Sequence, residues 1–358
     1  MSVPSPRGRL STLDRFLPVW IIAAMAAGLG LGRLYPSLGS LLDRVQVAGV
    51  SVPIAIGLLW MMYPVLARVR YESIGKEARD RRVLGTSLVL NWLVGPVLMF
   101  LLAWFFLADL PAYRNGLILI GLARCIAMVL IWNSLAGGSR ELAAVLVALN
   151  SLFQIATYSV LGYLFLVVIP GWFGQETAAL NVSMATIAKS VLIFLGIPLA
   201  AGYLTRRLLV GARGESWYED VFIRRVGPTA LVGLLYTIVL MFAMQGHRLL
   251  ESPWDVVRIA MPLVTYFVVM FGVALLVSRA MGFGYETSAS VAFTAAGNNF
   301  ELAIAVAVAT FGIGSGEAMA SVVGPLIEVP MLVGLVYLAL WARERLFPAS
   351  PDAVRTTA

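Results

Sequence analysis

The fold class this sequence predicts is an all-α membrane protein of ten transmembrane helices, arranged as two inverted five-helix repeats with discontinuous fourth and ninth helices. Three observations predict it: apolar stretches long enough to span a bilayer, a strong asymmetry of basic residues between loops, and residues that match at a constant offset of 176 positions. Of the 358 residues, 60% are hydrophobic and 13% charged, with a mean hydropathy of +0.89. A soluble domain carries roughly 25% charged residues.

A bilayer core of roughly 30 Å takes about 20 residues of helix. Apolar runs of that length place spans at 16–34, 46–67, 83–108, 115–136, 142–168, 185–205, 226–245, 257–278, 288–311 and 319–341. The polar stretch 1–15 reads as an N-terminal tail. The apolar run after it is too long for a cleaved signal peptide and reads as a retained first span.

Orientation follows from Lys and Arg in the loops. With a cytoplasmic N-terminus, 19 of the 26 basic residues fall inside, among them Arg81, Arg82, Arg206 and Arg343, and 5 fall outside, including Arg33 and Arg258. Both termini are therefore expected in the cytoplasm of a multi-pass protein of the cell membrane.

The second half repeats the first. Gly121 and Gly297, Cys125 and Glu301, and Ala127 and Ala303 share the 176-residue offset, and Gly138-Ser139-Arg140-Glu141 aligns without a gap to Gly314-Ser315-Gly316-Glu317. Five spans per half is an odd number, so the halves cross the membrane in opposite directions, as in many secondary transporters. The expected organisation is a cytoplasmic tail at 1–15, a first repeat at 16–168, an external connection at 169–184, a second repeat at 185–341 and a cytoplasmic tail at 342–358.

Composition also excludes several functions. The net charge of +7 is spread over membrane-flanking loops, without a basic face interleaved with aromatics, so nucleic acid is not an expected partner. A single cysteine, Cys125, rules out an intrachain disulfide and a multi-cysteine metal cage. The one histidine, His247, is expected in a loop. No cofactor motif is present.

The residues that carry chemistry lie in the fourth and ninth spans. Gly297-Asn298-Asn299 is poor helix and poor hydrocarbon material, and two amides in lipid need partners. An interruption there satisfies them and points the positive end of a half-helix at mid-membrane; a packing glycine with two interhelical hydrogen bonds is the plainer alternative. Glu301, a carboxylate at mid-bilayer, marks a transport pathway or proton relay, or else a static partner for Arg124. Arg124 is too deep to reach the interface and needs an anion, most simply Glu301, Glu328 or a substrate. Glu328, between Pro325 and Pro330, suits a second proton site or a counter-charge. Asn150, Gln154, Thr157 and Tyr158 form a stripe on one face of the fifth span, suited to a cavity wall or to interhelical bonding. Cys125 is either an inert small hydrophobe or, beside Arg124 and at the repeat position of Glu301, a thiolate for a soft metal or trivalent metalloid.

The stretch 121–154, GLARCIAMVLIWNSLAGGSRELAAVLVALNSLFQ, closely resembles the arsenite efflux permeases, the arsenical-resistance permeases of the bile acid/arsenite/riboflavin transporter superfamily. So does 294–334, TAAGNNFELAIAVAVATFGIGSGEAMASVVGPLIEVPMLVG, and the hydropathy layout agrees over roughly 15–345. The resemblance implies a non-enzymatic secondary transporter that exports arsenite, in some members antimonite, by proton antiport. It implies Cys125 as the As(III) ligand and Glu301 as the required acid. Arg124, Trp132 and Asn150 match functionally sensitive positions, and Asn299 and Glu328 match the family's amide and tenth-span acid. Ser139 stands where many members have an acidic residue, and Gly297 where many have serine.

Overall fold

The computed structural model describes residues 16–35, 37–42, 46–47, 50–69, 80–126, 128–175, 183–251 and 253–347. The expected tail at 1–15, the tail beyond 347 and residues 176–182 of the expected connection lie outside the described residues, as do Arg44, Arg70, Lys76 and Arg79.

The described chain is almost wholly helical. In order, its main helices are α1 (Leu17–Leu34), α2 (Val52–Ala67), α3 (Arg81–Phe106), α4 (Pro111–Leu122), α5 (Val129–Leu135), α6 (Arg140–Trp172), α7 (Met184–Arg213), α8 (Thr229–Glu251), α9 (Pro253–Ala280), α10 (Tyr285–Ala296), α11 (Phe300–Phe311) and α12 (Gly316–Leu346). Among the described residues six apolar helices are long enough to cross a membrane, four of them α3, α6, α7 and α9, with α12 and the helix Glu215–Met244 completing the set. Shorter apolar helices, α1, α2 and α11 among them, complete the membrane protein.

Helix starts follow local chemistry. Prolines open α1, α2 and α4, where the missing N–H is not needed. Asp80 caps α3 by accepting from the N–H groups of Arg82 (2.9 Å) and Val83 (3.3 Å). Ser139 caps α6 through the N–H of Leu142 (3.2 Å), and Ser315 caps α12 through that of Ala318 (3.1 Å). These two serines are 176 residues apart and perform the same task.

Three helices widen by one residue just before a proline. The N–H groups of Gly95, Ile169 and Ile197 each donate five residues back, to the carbonyls of Leu90, Leu164 and Leu192, ahead of Pro96, Pro170 and Pro198. A proline ring collides with the carbonyl four residues earlier, and the wide turn moves that carbonyl away.

Several boundaries differ from expectation. The second span begins at Val52, because Gln46–Val47 pairs antiparallel with Val50–Ser51 as a small hairpin. Helix α6 continues to Trp172, into the stretch expected as a connection, since Pro170 is absorbed by the wide turn before it. His247 falls on α8 and not in a loop.

The helices pack in two groups. Helix α8 lies against α1 and α2, and the second half of α7 also packs on α2. Helices α3 to α6 and α9 to α12 form the other group, with α12 against α4, α9 and α11, and α9 against α3 and α10. The first half of α7 packs on α6 and α11 and so joins the two groups.

Candidate functional site

Both expected interruptions are present, and they cross each other. Helix α4 ends at Leu122, after which Ala123 is extended; α10 ends at Ala296, after which Gly297 is extended. The two extended pieces pair antiparallel: the N–H of Cys125 donates to the Gly297 carbonyl (3.1 Å), and the N–H of Asn299 donates to the Ala123 carbonyl (3.1 Å). Pairing satisfies backbone groups that lipid cannot.

The amides complete the crossing. Asn298 Nδ2 donates to the carbonyls of Ile120 (2.8 Å) and Ala123 (3.2 Å), so it covers the freed end of α4. Asn299 turns the other way and caps α11, its Oδ1 accepting from the N–H of Leu302 (3.0 Å). Asn298 Oδ1 and Asn299 Nδ2 are buried without a hydrogen-bond partner among the described residues.

Arg124 is fully buried and, among the described residues, hydrogen-bonds no carboxylate. Its Nη2 donates to the Gly121 carbonyl at the end of α4, and its Nη1 to the Ala295 carbonyl at the end of α10 (3.2 Å) and to Tyr266 Oη (2.7 Å). The expected anionic partner is thus replaced by two helix C-termini, whose carbonyls carry partial negative charge. Gly95 on α3 makes room for it: a Cβ there would lie 2.8 Å from Arg124 Nη1.

Cys125, Glu301, Glu328 and Asn298 come together. With Ile126 and Met128 they line one side of a cavity of about 20 Å³, and Met61, Met62 and Val65 of α2 line the other. That volume holds about one water molecule. Cys125 is buried, Glu301 is half-buried on the first turn of α11, and Glu328 is buried on α12 with Oε1 unpartnered among the described residues. Thiol, carboxyl and amide therefore face one small space at the junction of the two helix groups. Glu301 also borders a second cavity of about 20 Å³, between α1, α2 and α8 on one side and α11 and α12 on the other.

The remaining predicted residues lie elsewhere. Asn150 accepts from Trp92 Nε1 (3.2 Å) and donates to Asn91 Oδ1 (3.5 Å), joining α6 to α3. Gln154 Oε1 accepts from the N–H of Arg124 (2.9 Å), Thr157 bonds back to the Phe153 carbonyl (2.7 Å), and Tyr158 Oη donates to the Leu119 carbonyl (2.8 Å). Asn150, Gln154 and Tyr158 of this stripe therefore bond to neighbouring elements, Thr157 bonds within its own helix, and none of the four lines the cavity beside Cys125. Trp132 is buried on α5, away from that cavity.

Three contributors carry no sequence signal of their own. Tyr266 sits in an ordinary apolar run of α9, and Met61 and Met62 in another on α2. Only the fold brings them to the crossing.

Sequence comparisons agree with this architecture. Residues 55–252 match the Sodium Bile acid symporter family. The arsenical-resistance protein Acr3 of Corynebacterium glutamicum is 54% identical over 343 residues, covering 96% of this chain and 93% of that protein. The chain belongs to the Acr3 family, within the sodium bile acid symporter family. More distant Acr3 relatives include the arsenical-resistance protein of Alkaliphilus metalliredigens, 33% identical over 91% of this chain and 92% of its own length. An uncharacterized transporter of Synechocystis sp. is 34% identical, over 96% and 92% respectively. As an Acr3-family chain it is a multi-pass membrane transporter and not an enzyme.

Proposed function

We propose that this protein exports trivalent arsenic, as arsenite, from the cytoplasm in exchange for protons, with antimonite as a candidate second substrate. The single observation that carries the reading is that the one thiol of the chain, Cys125, shares a cavity with two carboxyls, Glu301 and Glu328, and the amide of Asn298. The Acr3 relatives named for arsenical resistance support the substrate.

The chemistry follows from the residues. Arsenous acid is uncharged at neutral pH, so membrane potential alone cannot drive it out, whereas a proton entering through a carboxyl can. Facing the cytoplasm, the Cys125 sulfur bonds to arsenic as one As–O bond breaks; the leaving hydroxyl takes the thiol proton and departs as water. The reverse reaction, with water, frees the metalloid on the other side. One As–S bond holds it loosely enough to leave, as transport requires. Glu301 is the proton-coupling acid: protonation from outside favours release and deprotonation inside resets the carrier. Glu328 and Asn298 complete the polar wall, and Asn299 holds the half-helix that carries Glu301.

The cavity is too small for arsenous acid, so admission needs α2 to draw away from the crossing. The division into two helix groups supports such a movement of α1, α2, α7 and α8 against the rest. The same reading takes α4 with α5, and α10 with α11, as single interrupted crossings. It gives ten crossings in two inverted repeats, 16–168 and 185–341, with both termini cytoplasmic in the cell membrane. The equivalent caps at Ser139 and Ser315 support the repeat.

The test is arsenite flux into everted vesicles with and without an imposed pH gradient, for the wild type, Cys125→Ser and Glu301→Gln. The expected result is gradient-driven uptake by the wild type alone. Wild-type flux in Cys125→Ser refutes the thiol step, and an unchanged gradient response in Glu301→Gln removes that acid from coupling.

A further inference from the structure

In carriers built from interrupted helices, the freed carbonyls at half-helix C-terminal ends hold the coupling cation. In this protein two such ends converge, at Gly121 on α4 and Ala295 on α10, and a resident side chain already bridges them. The Arg124 guanidinium donates Nη2 to one carbonyl and Nη1 to the other, Tyr266 Oη holds it in place, and Gly95 keeps the space open. The group is fully buried. A guanidinium keeps its charge at every physiological pH, so this position never empties.

We propose that Arg124 is a tethered cation standing where a coupling sodium ion would bind, and that it makes this member of a family named for sodium symport independent of sodium. The proposal rests on the transport reading given above and adds to it the choice of coupling ion. With the cation position permanently filled, the titratable carboxyls Glu301 and Glu328 beside Cys125 are left to load and unload a coupling ion. It also gives Arg124 a role that does not require contact with the metalloid, in keeping with its place outside the cavity beside Cys125.

The experiment uses the full chain, purified and reconstituted into liposomes, with arsenite flux measured at fixed pH in sodium, potassium or choline chloride. Thermal melting is recorded in the same salts. The wild type is expected to show the same flux and melting temperature in all three. Arg124→Ala and Arg124→Gln are expected to transport poorly in potassium or choline, to regain at least about fivefold in flux in sodium, and to melt higher in sodium than in potassium.

Sodium stimulation of the wild type overturns the proposal. So does a folded Arg124→Ala or Arg124→Gln protein whose flux and melting both ignore sodium. If neither variant can be recovered folded even from sodium buffer, a free ion does not replace the guanidinium and the proposal falls as well. A wild type that ignores an imposed pH gradient refutes proton coupling instead, while the sodium measurements on the variants keep their meaning.

Discussion

The backbone N–H of Cys125 donates to the carbonyl of Gly297 at 3.1 Å, and a Cβ added to Gly297 would stand 2.9 Å from the Cβ of Cys125 and 3.7 Å from its sulfur. The two broken helices thus touch at the thiol, and the absence of a side chain at 297 sets where that thiol sits. Gly297→Ala displaces the thiol by a few tenths of an ångström. Gly297→Val, larger and branched, displaces it further. Arsenite flux is expected to fall modestly in the first variant and by about tenfold or more in the second, since small misplacements of reacting groups are costly. Flux in everted vesicles, normalised to folded protein, checks this; equal flux in all three proteins contradicts it.

Asn299 ends one extended piece and starts α11, so its side chain decides how firmly the Glu301 helix begins. Asn299→Ala removes the cap on the Leu302 N–H and is expected to cost about 1 kcal/mol. Asn299→Ser keeps a capping oxygen and should recover most of that loss. Melting of the purified proteins ranks them: wild type, then serine, then alanine. An alanine variant as stable as the wild type would show that the cap contributes nothing.

Asn150 belongs to the junction of α3 and α6. Asn150→Ala strands the Trp92 indole N–H in a partly buried position and is expected to cost about 1–3 kcal/mol. Transport then falls in step with the amount of folded protein, while the arsenite concentration giving half-maximal flux stays unchanged. A shift in that concentration with unchanged stability would return Asn150 to the substrate path.

At the turn between α3 and α4, Arg258 hydrogen-bonds Asp109 through Nη1 (2.9 Å) and holds its carboxyl below the usual carboxylate range. A carboxyl with a lowered folded value contributes stability above its ordinary value, and that contribution disappears as pH falls through the lowered one. The pair is exposed, so the effect is small and screened by salt. Asp109→Asn is expected to melt slightly below the wild type at pH 7 in low salt, and to match it once the pH has fallen below the lowered value. A difference that persists in acid would assign the effect to packing.

Much of this was legible in the residues, for physical reasons that differ from place to place. Gly297-Asn298-Asn299 announces an interruption because neither residue type favours helix and both amides need partners. The break after Leu122 has no such announcement: Arg124-Cys125-Ile126 contains no glycine or proline, and only the 176-residue offset to the second half pointed to it. Its cause is tertiary, since Ala123 and Cys125 find their backbone partners on the other broken helix. In the sequence Arg124 calls for an anion, Glu301, Glu328 or a substrate, because sequence displays side-chain charges and hides helix ends. The polar stripe on the fifth span shares one helix face, yet periodicity states which residues share a face and not what that face meets. The second span starts later than the hydropathy implies because 46–51 carries no charge to mark a boundary, while Gln46–Val47 and Val50–Ser51 pair as strands.

The pairing of the two broken helices constrains what can move. Sliding one extended piece past the other would break the Cys125–Gly297, Asn299–Ala123, Asn298–Ile120 and Arg124–Ala295 hydrogen bonds together. Each is worth about 1 kcal/mol or more, and a buried group left unpaired costs still more. The opposite wall, Met61, Met62 and Val65, presents only apolar contacts that can part and re-form. Under the proposed export mechanism, sulfur and carboxyl would therefore travel as a fixed pair, and the working cycle would be a change in which side of the membrane can see them.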